Sequence, residues 1–205
     1  MIKSKICEGG NNGEKKNLIV FIDGPYGVGK TTVLHEIDKS WNEKINISSL
    51  EADGYFNKWI HAKVQIAKEK GKILESRDIS PQNDVAFIEW YKEIICEKQK
   101  EGVVISDMSL TTKLCKEKLL DYFDIKQVEF LHIILEANKN ILKKRIINDI
   151  DRDKSFALRE LEGAIDFLEN NYYSAIRIST VDRKLEDYVQ EIIEIIKKKL
   201  YSVWK

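Results

Sequence analysis

Proline is nearly absent from this 205-residue chain, with only Pro25 and Pro81, so little in the backbone interrupts regular structure. Cysteine is equally sparse. Cys7, Cys96 and Cys115 are too few and too scattered for a disulfide framework or a zinc site. The charge carries no surplus of either sign: Lys+Arg and Asp+Glu both number 34, which gives no reason to expect nucleic acid as a partner. No apolar run approaches the ~18 residues that a spanning helix needs, so a membrane is not expected as a partner. The start, Met1–Asn17, has no apolar signal core and contains Gly9-Gly10-Asn11-Asn12-Gly13. It reads as a flexible tail, and residues 18–205 as one domain of a cytoplasmic protein. His35, His61 and His132 show neither ligand nor triad spacing, and His132, inside an apolar strand, reads as a hydrogen-bonded core residue.

What is present is an alternation of short apolar runs with longer helical patterns, the signature of an α/β architecture with a parallel sheet. The expected strands are Leu18–Asp23, Ile45–Glu51, Val103–Asp107, Glu129–Glu136 and Ala175–Ser179. Between them, helical spacing predicts Lys30–Lys39, Asn57–Lys70, Asn83–Lys100, Thr111–Tyr122, Asn138–Asn148, Ser155–Tyr172 and Leu185–Tyr201. Gly71 to Asn83 is the longest irregular connection.

One segment carries chemistry at every position. Gly24-Pro25-Tyr26-Gly27-Val28-Gly29-Lys30-Thr31 follows the first apolar strand and precedes a helix that opens with Thr32. Glycines in such a loop let backbone N–H groups turn inward around a phosphate, and the helix N-terminus adds positive potential. Lys30 can reach the outer phosphates and the Thr31 hydroxyl can ligate Mg²⁺. Gly24, Tyr26, Gly27, Val28, Gly29, Lys30, Thr31 and Thr32 are therefore the candidate nucleotide-binding residues, with ATP and Mg²⁺ as cofactors.

A phosphate loop alone does not separate a kinase from a hydrolytic switch, so the other polar groups must decide. Asp107 ends a buried strand, where a doubly wound sheet opens onto its ligand crevice, and can serve Mg²⁺ or the acceptor hydroxyl. Transfer to a hydroxyl needs a carboxylate to take its proton, and Glu51 and Asp53 both follow the second strand. Glu51 is the first choice, since Asp53 also suits a helix cap. Arg145 and Arg152, about two helical turns apart, can stabilise the charge that spreads during transfer. Residues 145–157 are then a lid. Tyr55, Trp59, Phe87 and Trp90 are candidates for an aromatic acceptor pocket, against the alternative that they fill core.

These residues resemble known families. Phe21 to Thr32 closely resembles the phosphate loop of herpesvirus-type thymidine kinases, within the deoxynucleoside kinases. Asp107-Met108-Ser109 resembles that family's acidic-Arg-Ser motif, with Met108 in place of the arginine. Lys144-Arg145 through Arg152, then Leu158 to Tyr172, is similar to its lid and following helix. A near-equal likeness exists to the bacterial tunicamycin-resistance family, through Gly27 to Thr32, Gly54-Tyr55-Phe56, Asn138 to Arg145 and Ser155-Phe156-Ala157. The resemblance implies a phosphate-loop fold of nucleoside/nucleotide kinase type, with a five-stranded parallel sheet in order 2-3-1-4-5. It implies Glu51 as base, Asp107 near Mg²⁺, and Arg145 and Arg152 as lid arginines.

The expected activity is therefore Mg²⁺-dependent transfer of the ATP γ-phosphate to a hydroxyl of a small molecule. A nucleoside, nucleotide or nucleoside-like compound is the expected acceptor, and a homodimer through helices is the expected assembly. The alternative is a nucleotide-dependent protein that sequesters its ligand. In that case Leu185–Lys205, with Ile192, Ile195, Ile196 and Leu200 beside Lys197-Lys198-Lys199 and Trp204, has the composition of an interfacial segment.

Overall fold

The parallel sheet follows from the apolar runs. In the computed structural model, which describes residues 17–71, 80–150 and 154–202, five parallel strands lie in the order β2-β3-β1-β4-β5. They are β1 (Leu18–Asp23), β2 (Ile47–Leu50), β3 (Val103–Ser106), β4 (Phe130–Glu136) and β5 (Ile176–Ser179). Side chains alternate across a strand, so β1 sends Ile19 and Phe21 to one face and Leu18, Val20 and Ile22 to the other. All six β1 residues are buried, as befits a central strand covered on both faces.

Helices cover the faces. α1 (Lys30–Ser40) follows β1, and α2 (Ala52–Glu69) and α3 (Val85–Gln99) lie between β2 and β3. After β3, α4 (Lys113–Cys115) runs through a π-helical turn (Lys116–Leu120) into α5 (Asp121–Ile125). Then come α6 (Lys139–Asn148), α7 (Lys154–Asn171) and α8 (Leu185–Ser202). Residues of α3, α5 and the end of α7 fill the face of Phe21, whereas α1, α6 and α8 fill the face of Val20.

Several expectations need correction. The second strand stops at Leu50 and α2 begins at Ala52, five residues before the expected start, so Glu51 and Asp53 sit at a helix N-terminus and not on a strand. The helix after β3 begins two residues late at Lys113 and continues to Ile125. Cys96 is buried in the core on the face that α3 covers, and Cys115 is a buried free thiol. The apolar face of α8 is committed to the core: Ile192, Ile193, Ile196 and Leu200 are buried against the sheet and α1. No described helix is long and apolar enough to cross a membrane. Met1–Lys16, most of the Gly71–Asn83 connection, Arg152 and Trp204 lie outside the described residues.

Candidate active site

All five strands run the same way, so their carboxyl ends converge on one edge of the sheet. There Asp23 ends β1, Asp107 follows β3, the start of α2 follows β2, and Thr180 follows β5. The polar groups of the crevice are thus placed by topology.

The phosphate loop occupies the β1–α1 connection. Gly24 has φ 144°, and a side chain there would lie 2.7 Å from the Leu135 carbonyl oxygen and 2.8 Å from Val28 Cγ1. Gly27 has φ 77°, with Ile146 Cγ1 2.9 Å from where a Cβ would sit. Only glycine meets both the backbone angle and the close approach at these two positions. Gly29 occupies the N-cap of α1 with no side-chain cap, and the first turn of α1 holds no acidic residue. The orphan N–H groups of that turn therefore keep their positive potential for an anion.

Lys30 Nζ donates to the Gly24 carbonyl at 2.8 Å, which folds the side chain back over the loop. Thr31 Oγ1 donates to Asp107 Oδ2 at 2.7 Å, and Asp107 Oδ1 accepts the N–H of Ala52 at 2.7 Å. Asp107 is 6% exposed, and burial pushes its carboxyl above its ordinary value, against the opposing pull of those two bonds and of Lys30. One carboxylate thus joins the loop, β3 and the start of α2. Among the described residues no group of three or more His, Cys, Asp or Glu forms a metal cage. The donor set of Thr31 and Asp107 instead fits Mg²⁺, which takes one or two protein oxygens and completes its shell with phosphate and water.

These residues open onto a cavity of about 760 Å³. Its lining includes Tyr26 to Thr32, Asp53, Asp107, Met108 and Arg145. Asp53 faces this space, whereas Glu51 is absent from its lining and its carboxylate lies 3.5 Å from His35 Nε2 at the surface. The short second strand explains the difference: with the helix starting at Ala52, the two carboxylates leave the chain in different directions about the helix axis. Arg145 lines the cavity, but its guanidinium is tied to Val28 O at 3.4 Å, to Thr180 Oγ1 at 3.0 Å and to Thr180 O at 3.2 Å. It braces the phosphate loop against the end of β5.

The aromatic candidates do not line the cavity. Phe87 is fully buried, and Tyr55, Trp59 and Trp90 pack around it, with Trp59 stacked on Trp90 at 5.3 Å and Tyr55 6.0 Å from Trp90. They form the core between α2 and α3. Asp84, the N-cap of α3, anchors this cluster through Lys63 Nζ at 2.8 Å and Trp59 Nε1 at 3.3 Å.

Other residues stand where none was expected. Gln82, almost buried, donates to the Tyr26 hydroxyl at 2.9 Å, and Phe156 meets the Tyr26 ring edge-on at 5.8 Å. Both line the main cavity and a second one of about 590 Å³ beside it, and Tyr26 stands between the two. Tyr188, Leu185 and Asp149 also line the main cavity. Apart from the Ser155-Phe156-Ala157 likeness, no local pattern marks these positions, since they meet the loop only through the fold.

No protein-family profile matches the chain, and neither does any curated protein. Solved structures do. A tunicamycin resistance protein of Deinococcus radiodurans superposes with a TM-score of 0.64 at 17% identity, covering 88% of this chain and 95% of that one. A gluconokinase from Sinorhizobium meliloti 1021 gives 0.58 at 14%, over 93% and 98%. A shikimate kinase from Bacteroides thetaiotaomicron gives 0.55 at 18%, over 88% and 98%. At these identities the likeness establishes a common phosphate-loop fold.

Proposed function

We propose that this chain is an ATP-dependent phosphotransferase acting on a hydroxyl of a small molecule. The observation that carries the reading is that one cavity holds a phosphate loop, the Thr31–Asp107 pair and the carboxylate of Asp53 together. A hydrolytic switch needs no second carboxylate facing the cavity from another element, as Asp53 does from the N-terminus of α2. Transfer to a hydroxyl needs one.

In this reading the amides from Gly27 to Thr32 cradle the phosphates, and Lys30 leaves the Gly24 carbonyl to meet the outer ones. The Thr31 hydroxyl, with Asp107 beside it, would hold Mg²⁺, which would supply neutralisation of phosphate charge. Arg145 keeps the loop seated on Thr180, and Tyr188 and Leu185 receive the nucleoside end. Asp53 replaces Glu51 as the group that takes the acceptor proton. The second cavity, separated by Tyr26, receives the rest of the acceptor. The rate comes from positioning and fixed charge, with no covalent enzyme intermediate. Nucleosides and nucleoside-like compounds remain the first acceptors to try, given the loop's likeness to that kinase type.

A mass-shift screen for phosphorylated products across hydroxylated compounds, with ATP and Mg²⁺, tests this. The expected result is a product heavier by one phosphoryl group that is lost with Lys30→Ala, whose fold is retained. MgATP binding without any transferred phosphoryl across a broad panel would instead support ligand sequestration.

A further inference from the structure

We infer that Asp23 is a positioning residue of this site, one that locks the phosphate loop to the segment after β3 through a closed ring of contacts. The inference rests on the phosphotransfer reading above.

Asp23 is the last residue of β1 and is fully buried. Its Oδ1 accepts two main-chain N–H groups, that of Gly24 at 2.7 Å and that of Leu110 at 3.1 Å. Its Oδ2 lies 3.0 Å from His132 Nε2 on the neighbouring strand β4. On the other side, the Tyr172 hydroxyl donates to the Leu110 carbonyl at 2.7 Å, and the Tyr172 ring meets His132 edge-to-face at 4.5 Å. The ring therefore runs Asp23, Leu110, Tyr172, His132 and back to Asp23, and it ties together four separate segments.

Leu110 is the element this ring controls, because both of its main-chain groups are held. The residues just before it, Met108 and Ser109, line the main cavity, and Asp107 carries the bond to Thr31. The residues just after it, Thr111 and Thr112, line the second cavity. Any shift of Leu110 moves both walls against the loop. Gly24 is held by the same oxygen, so the first amide of the loop and the post-β3 segment share one anchor.

A carboxylate beneath an anion-binding loop opposes the loop's own potential, so electrostatic attraction for phosphate does not account for it. Geometry does. One carboxylate oxygen takes both main-chain donors while the other faces the His132 ring nitrogen, so a single side chain holds three segments in register.

The test is calorimetric titration of MgATP into the full chain, with Asp23→Asn, Tyr172→Phe and the double variant, each checked for folding by circular dichroism. Asp23→Asn keeps the shape and one oxygen for the two amides. We expect it to weaken MgATP binding about tenfold, Tyr172→Phe about threefold, and the pair no more than Asp23→Asn alone, because both open the same ring. A merely structural role would lower the melting temperature and leave the affinity of the folded protein unchanged. Affinity unchanged in Asp23→Asn, or losses that simply multiply in the double variant, would overturn the inference. Should Asp23→Asn fail to fold, Tyr172→Phe alone decides, and wild-type affinity there counts against the ring. A wild-type chain that binds no MgATP would overturn the phosphotransfer reading as well, which separates the two failures.

Discussion

The Thr31 hydroxyl and the Asp107 carboxylate, 76 residues apart in the chain, are joined by a 2.7 Å hydrogen bond across the mouth of β1 and β3. This bond ties the first turn of α1 to the strand that carries the buried acid. It also leaves Asp107 in a costly position, because burial raises its carboxyl above the ordinary value of 3.8.

That cost can be measured through Asp107→Asn. An acid whose folded value is raised binds its proton more tightly when folded, so wild-type stability falls as pH climbs from 3.8 through the raised value. Asparagine can keep the bonds to Ala52 N–H and Thr31 without any charge. Its stability advantage over wild type should therefore grow across that interval and level off above it, as read by urea unfolding at a series of pH values. Mg²⁺-dependent turnover should fall by about 10–100-fold in the same variant, as expected for a group that orients a metal ligand. A gap that narrows with rising pH contradicts this assignment.

Asp53 and Glu51 are separated by a pair of isosteric changes. Asp53→Asn should lower turnover about 10²–10⁴-fold, the range of a positioned general base. Glu51→Gln should leave it nearly unchanged, because that carboxylate sits beside His35 outside the cavity. The reverse pattern in steady-state kinetics would restore Glu51 to the role the sequence proposes.

Arg145 makes three bonds with one planar fork, to Val28 and twice to Thr180. Lysine keeps the charge but cannot reproduce that geometry. Arg145→Lys should cost about 1–2 kcal/mol of stability and weaken MgATP binding together, since the loop loses its brace. Calorimetry showing full affinity with reduced stability would leave Arg145 a purely structural residue.

Phe87 tests whether the aromatic group is core or pocket. Phe87→Ala should cost about 3–5 kcal/mol in denaturant unfolding. Below its unfolding transition it should bind MgATP as the wild type does. Lost affinity in the folded variant would bring the cluster back into the site.

The phosphate-loop pattern is contiguous in the chain, whereas the side chains that share its cavity come from distant segments. Gly27, Lys30 and Thr31 are contiguous, and a loop between a strand and a helix encodes its own geometry, so they were legible from the residues alone. Glu51 ranks before Asp53 in the sequence because Asp53 suits a helix cap, yet with α2 starting at Ala52 it is Asp53 that lines the cavity. Phe56, in the turn of α2 before Asn57, packs edge-on against Phe87 at 5.0 Å, a contact that no local pattern reports. Helical spacing finds apolar faces but not what they meet, so Trp59 and Trp90 read equally as core or pocket.

From the chain alone came the strand–loop–helix unit and the sequence of alternating elements, because both depend on neighbours in sequence: glycine at strained angles, apolar residues at fixed periods. The packed fold alone decided which carboxylate faces the cavity, that Tyr26 stands between two cavities with Gln82 and Phe156 against it, and that Asp23, Leu110, His132 and Tyr172 close a ring. Those relationships arise where parallel strands bring distant segments to one edge. They are contacts across tens of residues, held by burial and hydrogen bonds whose partners a linear pattern does not name.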